Sequence, residues 1–240
     1  MIRTVAETGS TNCDLAASLR AGEALPEGDW LVADRQLAGR GRLGRSWFDG
    51  AGNFMGSTLV RLSPRDPNPA SLALVAGLAA YEALVPLLPD PRALQLKWPN
   101  DLMLAGAKLA GILLEREGDA IIVGIGVNLA RAPELPDRRT IALSALRPAP
   151  DRDSFAASLA AAFNREVERW RTYGLDPLLR RWESVAHPQG TPLTVYPPGE
   201  GAIEGGFAGL ASDGALLLRL ADGSSRAIHA GDTMLATEGS

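Results

Sequence analysis

Cysteine and histidine are almost missing from this chain: Cys13 is the one thiol, and His187 and His229 are the two imidazoles in 240 residues. One cysteine excludes an internal disulfide framework and fits a reducing compartment, so a cytoplasmic location is expected. The histidines lie far apart, without a cysteine or acidic partner at ligand spacing, so no protein-built metal centre is expected. Charge of one sign is lacking too. Lys and Arg number 24 against 28 Asp and Glu, a formal net charge of −4, and no overall field draws the chain to DNA, RNA or an anionic membrane. The N-terminus shows no charged leader followed by an apolar stretch, so no signal peptide is expected. The longest apolar run, Leu72 to Leu88, contains Glu82 and Pro86. It barely reaches the length of a membrane span and reads as a buried helix. Phosphate-loop and serine-elbow motifs are absent as well.

What is present is an ordinary core, with 46% hydrophobic residues, in a chain long enough for one large domain and a small appendage. Thr11 with Asp14 three residues on reads as a capping box opening a helix to about Arg20. "WLVA" (Trp30–Ala33) and "NFMGSTLVRL" (Asn53–Leu62) read as strands. Asn68-Pro69 supplies a cap and first-turn proline for a helix to about Leu88. "ALQLKW" (Ala93–Trp98), Leu102–Leu104, Lys108–Glu115 and "AIIVGIGVNL" (Ala120–Leu129) form a meander of strands. Helices are expected over about Ser154–Thr172 and Pro177–Val185. Composition shifts at "HPQGTP" (His187–Pro192). Beyond it, four short strand candidates with Asp213-Gly214 and Asp222-Gly223 between them fit a small β-barrel. The division expected is 1–187 and 188–240, with an α+β architecture.

Two stretches concentrate chemistry. "GRGRLGR" alternates Gly39, Gly41 and Gly44 with Arg40, Arg42 and Arg45. Glycines let backbone N–H groups turn toward an anion, and arginines add forked donors. A solvated loop or an arginine-rich RNA contact would look similar. "KWPNDLMLAGAKLAGILLE" places Lys97, Asn100, Asp101 and Lys108 at one sheet edge, where they could neutralise a phosphate chain; a polar hairpin edge is the plain alternative. Gly111 inside an apolar strand implies close approach of another group. Ser10-Thr11-Asn12 is explained by capping alone, yet hydroxyls at a helix start also suit a small polar ligand.

Taken in order, "GSTN", "GRGRLGRSW", "KWPNDL", "KLAGILLE" and "GIGVNL" resemble the biotin–protein ligase family. The resemblance is dense from about Thr8 to Leu129, looser to Trp182, and includes the C-terminal barrel. It implies a catalytic domain like class II aminoacyl-tRNA synthetases, with a mixed sheet, and an SH3-like C-terminal barrel. It implies that biotin, ATP and Mg2+ are used to make biotinyl-5′-AMP and pyrophosphate. The biotinyl group then passes to one lysine of the biotin carboxyl carrier protein of acetyl-CoA carboxylase, or of a related biotin-dependent carboxylase. By the same resemblance, Ser10, Thr11 and Gln36 hold the ureido head of biotin, Asn12 belongs to the biotin and adenylate site, and Gly39, Arg40 and Gly41 supply backbone contacts. Arg42 meets the adenylate phosphate and Lys108 sits between it and the biotin carboxyl group. Lys97, Asn100 and Asp101 lie on the phosphate and magnesium side, Gly111 floors the biotin pocket, and Asn128 faces the nucleotide. Lys108, Arg42, Lys97 and Asp101 are the catalytic candidates. The resemblance leaves room for a homodimer.

Two departures stand out. Some family members carry a tryptophan that stacks on adenine after the "GVN" strand; here Thr140 stands at that place in a short loop, and Trp47 is the nearby ring available. No helix-turn-helix segment precedes "GSTN", so the monofunctional type is expected. Lipoate–protein ligases and octanoyltransferases share the fold, but "KWPND" together with "GRGR" favours biotin.

Overall fold

The computed structural model describes residues 1–235. Seven strands build the main sheet: β1 (Ile2–Thr8), β2 (Trp30–Gln36), β3 (Phe54–Arg61), β4 (Leu94–Lys97), β5 (Asp101–Leu104), β6 (Ala107–Glu117) and β7 (Ala120–Val127). Their order is β1-β2-β3-β7-β6-β5-β4. β1 runs parallel to β2 and the other pairs are antiparallel, so the sheet is mixed, as expected.

The two sheet faces are read from β7. Val123, Ile125 and Val127 point to the large core and pack with Val32, Phe54 and Ile112 beneath helix α2 (Leu72–Leu84). Ile122 points the other way, toward Leu15 of helix α1 (Thr11–Arg20) and Leu31. Helices α3 (Arg152–Tyr173) and α4 (Leu175–Ser184) cover α2, which is buried nearly all round. That burial explains its unbroken apolar sequence. α2 is shorter than the sequence implies: Pro69–Ser71 and Val85–Leu87 are single 3-10 turns on either side of it. Pro86 has no N–H to extend the α ladder. One stretch, Pro69–Leu87, is long and apolar enough to cross a membrane, and 61% of its most apolar window is buried inside the protein.

A second sheet follows: β8 (Pro192–Tyr196), β9 (Ile203–Leu210), β10 (Leu216–Arg219), β11 (Ser225–Ile228) and β12 (Asp232–Leu235). It is antiparallel throughout, in the order β11-β10-β9-β8-β12, the small SH3-like unit expected. It has five strands where four were read, because a short strand after the His229 turn was not separable by pattern. Both Asp-Gly pairs make turns, with Gly214 at φ 88 and Gly223 at φ 83. In those turns Asp213 and Asp222 accept from the N–H groups of Ala215 at 3.0 Å and Ser224 at 2.8 Å. The unit leans on the main sheet, where the Trp98 indole donates to the Gly214 carbonyl at 3.1 Å.

Candidate active site

The site lies on the α1 face of the sheet, where three glycines remove side chains from its centre. Gly111 on β6 pairs with Gly126 on β7, while Gly124 on β7 faces Ser57 on β3. A Cβ on Gly124 would collide with the Asn12 amide, and one on Gly126 with the Trp47 indole. A Cβ on Gly111 would sit 3.0 Å from Trp47 and 3.3 Å from the Lys108 ammonium. The group that Gly111 was expected to admit is thus, in part, the protein's own Trp47 and Lys108. A cavity of about 920 Å³ opens above this floor, within the range of small-molecule sites.

One end of the cavity is lined by uncharged polar side chains, several of them linked by hydrogen bonds. Ser10, Thr11, Asn12, Gln36 and Ser57 are all buried there. Thr11 N donates to Gln36 Oε1 at 2.7 Å. Thr11 Oγ1 lies 3.0 Å from that oxygen and 2.6 Å from Ser57 Oγ. Ser57 Oγ donates to Asn12 Oδ1 at 2.6 Å, and Asn12 Nδ2 donates to Glu115 at 2.7 Å. The capping box is therefore corrected. Ser10 is the N-cap residue and makes no side-chain cap bond. Asp14 takes the Thr8 hydroxyl instead, at 2.5 Å. Thr11's hydroxyl has left the helix end for the cavity.

The other end is charged. The Lys108 ammonium lies 2.6 Å from Asp101 Oδ1, and that of Lys97 lies 3.8 Å from Asp101 Oδ2. Burial alone would raise the Asp101 pKa, but Lys108 and then Lys97 outweigh it and hold the carboxyl below its ordinary value. Lys108 also sits 5.9 Å from the Trp47 ring centroid, a cation–π distance. β5 and the start of β6 converge here because a tight turn through Ala105 (φ 50) and Gly106 (φ 75) joins them. Asn128 Nδ2 donates to the Ile141 carbonyl at 3.3 Å, while its Oδ1 is buried at the cavity with no partner among the described residues.

The glycine–arginine loop forms the lid. An Arg40–Ser46 bridge and a 2.7 Å bond from Gly41 N to the Arg45 carbonyl close it on itself. Arg42 donates to Asn100 Oδ1 at 3.0 Å and to the Gly231 carbonyl at 3.1 Å. Asp232, on β12, lies 3.7 Å from Arg42 and pairs with Arg45. The small second sheet thus supplies a counter-ion to the loop. Thr140 is spent locally, its hydroxyl on the Pro133 carbonyl, while its neighbours pair with Lys108 at 2.9 and 3.0 Å. No ring enters from that segment. Trp47 lies on the glycine floor.

Of the residues singled out from sequence, Ser10, Thr11, Asn12, Gln36, Arg40, Gly41, Arg42, Trp47, Lys97, Asn100, Asp101, Lys108, Gly111 and Asn128 all line this cavity. Gly39 does not. It is packed behind the lid, its carbonyl accepting from Trp47 N at 2.8 Å. Sequence reasoning missed Ser57, Arg138 and Asp232, which also line the cavity, and Glu115, which accepts from Asn12 behind it. Ser57 carried a usable signal, being a hydroxyl inside a strand that is otherwise apolar.

A mixed sheet with a glycine floor, a two-ended cavity and an SH3-like unit at its mouth defines a carboxylate-activating ligase fold. A family profile described as "Biotin/lipoate A/B protein ligase family" matches residues 8–129, and one described as "Biotin protein ligase C terminal domain" matches residues 196–234. The chain belongs to this family. Within it, the chain is 39% identical over 229 residues to a biotin–[acetyl-CoA-carboxylase] ligase of Paracoccus denitrificans, covering 90% of this chain and 92% of that one. It is 40% identical over 171 residues to the ligase of the same name from Mycobacterium tuberculosis, covering 70% of this chain and 64% of that one. Among solved structures, a biotin protein ligase from Aquifex aeolicus in complex with biotin and ATP superposes with a TM-score of 0.86. That match has 29% identity and covers 98% of this chain and 99% of that one.

Proposed function

We infer that the protein joins biotin to ATP and then transfers the biotinyl group to a lysine of a biotin carboxyl carrier protein. The observation that carries this reading is the two-ended cavity, a neutral hydrogen-bonding end and a cationic end joined across a glycine floor. A carboxylic acid with a polar, uncharged head and an apolar middle fits that sequence of environments, with its carboxylate delivered to the lysines.

In the first step a biotin carboxylate oxygen attacks the α-phosphorus of ATP and pyrophosphate leaves. Both reactants are anions, so the site must neutralise them together. Lys108, standing over Gly111 beside Asp101, bridges the two. Lys97 and Arg42 serve the phosphates, and Asp101 holds the two ammonium groups apart at fixed positions. In the second step the carrier lysine's amine attacks the acyl carbon, AMP leaves, and the amine gives up a proton. Thr11 and Gln36 hold the ureido head, with Ser10 and Asn12 beside them, and Asn128 Oδ1 is the free acceptor on the nucleotide side. The glycine–arginine loop closes over the adenylate through backbone N–H groups.

Among the described residues no group of three acidic, histidine or cysteine side chains forms a metal cage. The nearest oxygens, Asp101 Oδ1 and Asn100 Oδ1, are already engaged by Lys108 at 2.6 Å and Arg42 at 3.0 Å, so the residues present do not form a magnesium site of their own. A magnesium ion used in the reaction would arrive on the triphosphate, where it would neutralise phosphate charge. The carrier of acetyl-CoA carboxylase is the acceptor this reading selects, in the cytoplasm. The division we propose is 1–187 for the chemistry and 188–240 for the appended unit, whose described part, ending at residue 235, supplies Asp232.

ATP–pyrophosphate exchange with biotin, lipoate or octanoate as the sole acid tests the reading. Exchange with biotin alone is expected; exchange with lipoate or octanoate and none with biotin would move the protein to the lipoyl branch of its family.

A further inference from the structure

We propose that the chain is inert to its own acylating product: biotinyl-5′-AMP meets no reactive lysine amine on the protein that makes it. The proposal rests on the reading of the reaction as biotinyl transfer to lysine. Of the 24 Lys and Arg residues two are lysines, Lys97 and Lys108, and both line the cavity. The other 22 are arginines, so every cationic side chain outside the cavity, histidine apart, is a guanidinium.

Acylation joins an amine nitrogen to the acyl carbon and breaks that carbon's bond to the phosphate oxygen. AMP leaves with the electron pair, and the amine's proton passes to water. The attacking nitrogen must therefore bring a lone pair. An exposed lysine does so through the small neutral fraction it keeps at neutral pH, whereas a guanidinium is not deprotonated in proteins. The mixed anhydride does not choose between amines, and the protein's own would be the nearest. Arginine supplies the surface charge without the nucleophile: Arg20 faces Glu117, Arg152 faces Asp34 and Arg226 faces Glu200, exposed pairs in which a lysine would serve for charge as well.

Lys97 and Lys108 stand where the chemistry calls for a compact point charge, and there the exposure to the intermediate is greatest. Their ammonium groups share one carboxylate, at 3.8 and 2.6 Å. Burial alone would raise the Asp101 pKa, and Lys108 and then Lys97 outweigh it, so the shared group is a carboxylate. An ammonium seated on it has no lone pair for the acyl carbon. The site thus uses lysine's charge without its nucleophilicity. Side-chain exposures of 9% for Lys97 and 17% for Lys108 also shield both from adenylate that has left the cavity. Cys13, the one thiol, does not line the cavity.

The test gives the chain an amine it lacks. Leu135 and Tyr196 stand at the cavity rim, 44% and 45% exposed, and have no part in the chemistry assigned above. Wild type, Leu135→Lys and Tyr196→Lys are incubated with biotin and ATP and no carrier. Hydroxylamine then removes any thioester from Cys13, and mass spectrometry maps biotin to each lysine separately from the α-amine of Met1. The wild type is expected to carry none on Lys97 or Lys108. At least one rim variant should label itself at position 135 or 196 about tenfold or more above either native lysine, since an amine held beside the intermediate reacts at high effective concentration. Biotin on Lys97 or Lys108 of the wild type at the level of the rim variants would overturn the proposal. So would two rim variants that stay unlabelled, because scarcity of amines would then not be what protects the chain. Pyrophosphate exchange is measured on the same samples. Its absence with biotin takes down the proposed reaction and this proposal with it, whereas exchange without the expected labelling pattern overturns this proposal alone.

Discussion

Replacing Lys108 by Met keeps the side chain's length and removes the ammonium 2.6 Å from Asp101. Asp101 is then left, still buried, with Lys97 at 3.8 Å. Removing one partner of a buried pair costs about 3–5 kcal/mol when nothing else compensates. Lys97 does compensate in part, so the expected loss is about 1–3 kcal/mol, or roughly 2–10 °C in Tm for a chain of this size. Adding Asp101→Asn should return most of that stability, because a neutral amide needs no counter-ion. It should not return activity: pyrophosphate exchange is expected to stay about 10²–10³-fold below wild type, mainly in kcat. The pH dependence has a definite sign. Since the folded carboxyl of Asp101 is held below its ordinary value of 3.8, the stability it contributes is complete above about that pH and is lost as pH falls through the depressed value. In Lys108→Met the largest stabiliser of the charged form is gone, so the Tm gap to wild type should narrow on acidification. Thermal melts of the two variants and wild type between neutral and acid pH decide it. A double variant no more stable than Lys108→Met would refute the ion-pair account, and near-normal exchange in Lys108→Met would remove that residue from the chemistry.

Arg42→Gly should release the adenylate about tenfold to a hundredfold faster, seen as biotin labelling of an unrelated lysine-rich protein. Labelling no higher than wild type, with exchange intact, would mean Arg42 does not retain the intermediate. Gly126→Ala places a methyl where the Trp47 indole lies, so the biotin KM should rise more than about tenfold and Tm should fall by roughly 2–10 °C as the ring is displaced; an unchanged KM would show the floor is not in contact with ligand. Hydrogen exchange across Gly39–Arg45 should slow with biotin and ATP, since three glycines make ordering costly until an anion arrives, and should be faster in Asp232→Asn without ligand. Equal protection in all three states would show that neither ligand nor Asp232 orders the loop.

The parts legible in sequence are those where one residue type does one local thing. Alternation in "AIIVGIGV" marked a strand, Asp213-Gly214 and Asp222-Gly223 marked turns, and Asn68 did cap the turn that follows it, accepting from Ala70 N at 3.0 Å. The first strand was not read, because Ile2–Thr8 is an edge strand exposed along most of its length and carries no inward face to leave a pattern. Thr11 shows how a local rule misleads: Ser-Thr-Asn at a helix start has the chemistry of a cap, and no local signal says that partners from β2 and β3 will claim the hydroxyl. Asp232 lies 190 residues from Arg42 in numbering and reaches it only through the docking of the second sheet. Glu115 ends a recognisable motif, yet its meaning depends on four other residues from three separate segments. Composition and spacing carry the identity of groups at a site. What they do not carry is which partner each group takes, because in this cavity the partners come from segments far apart in the chain.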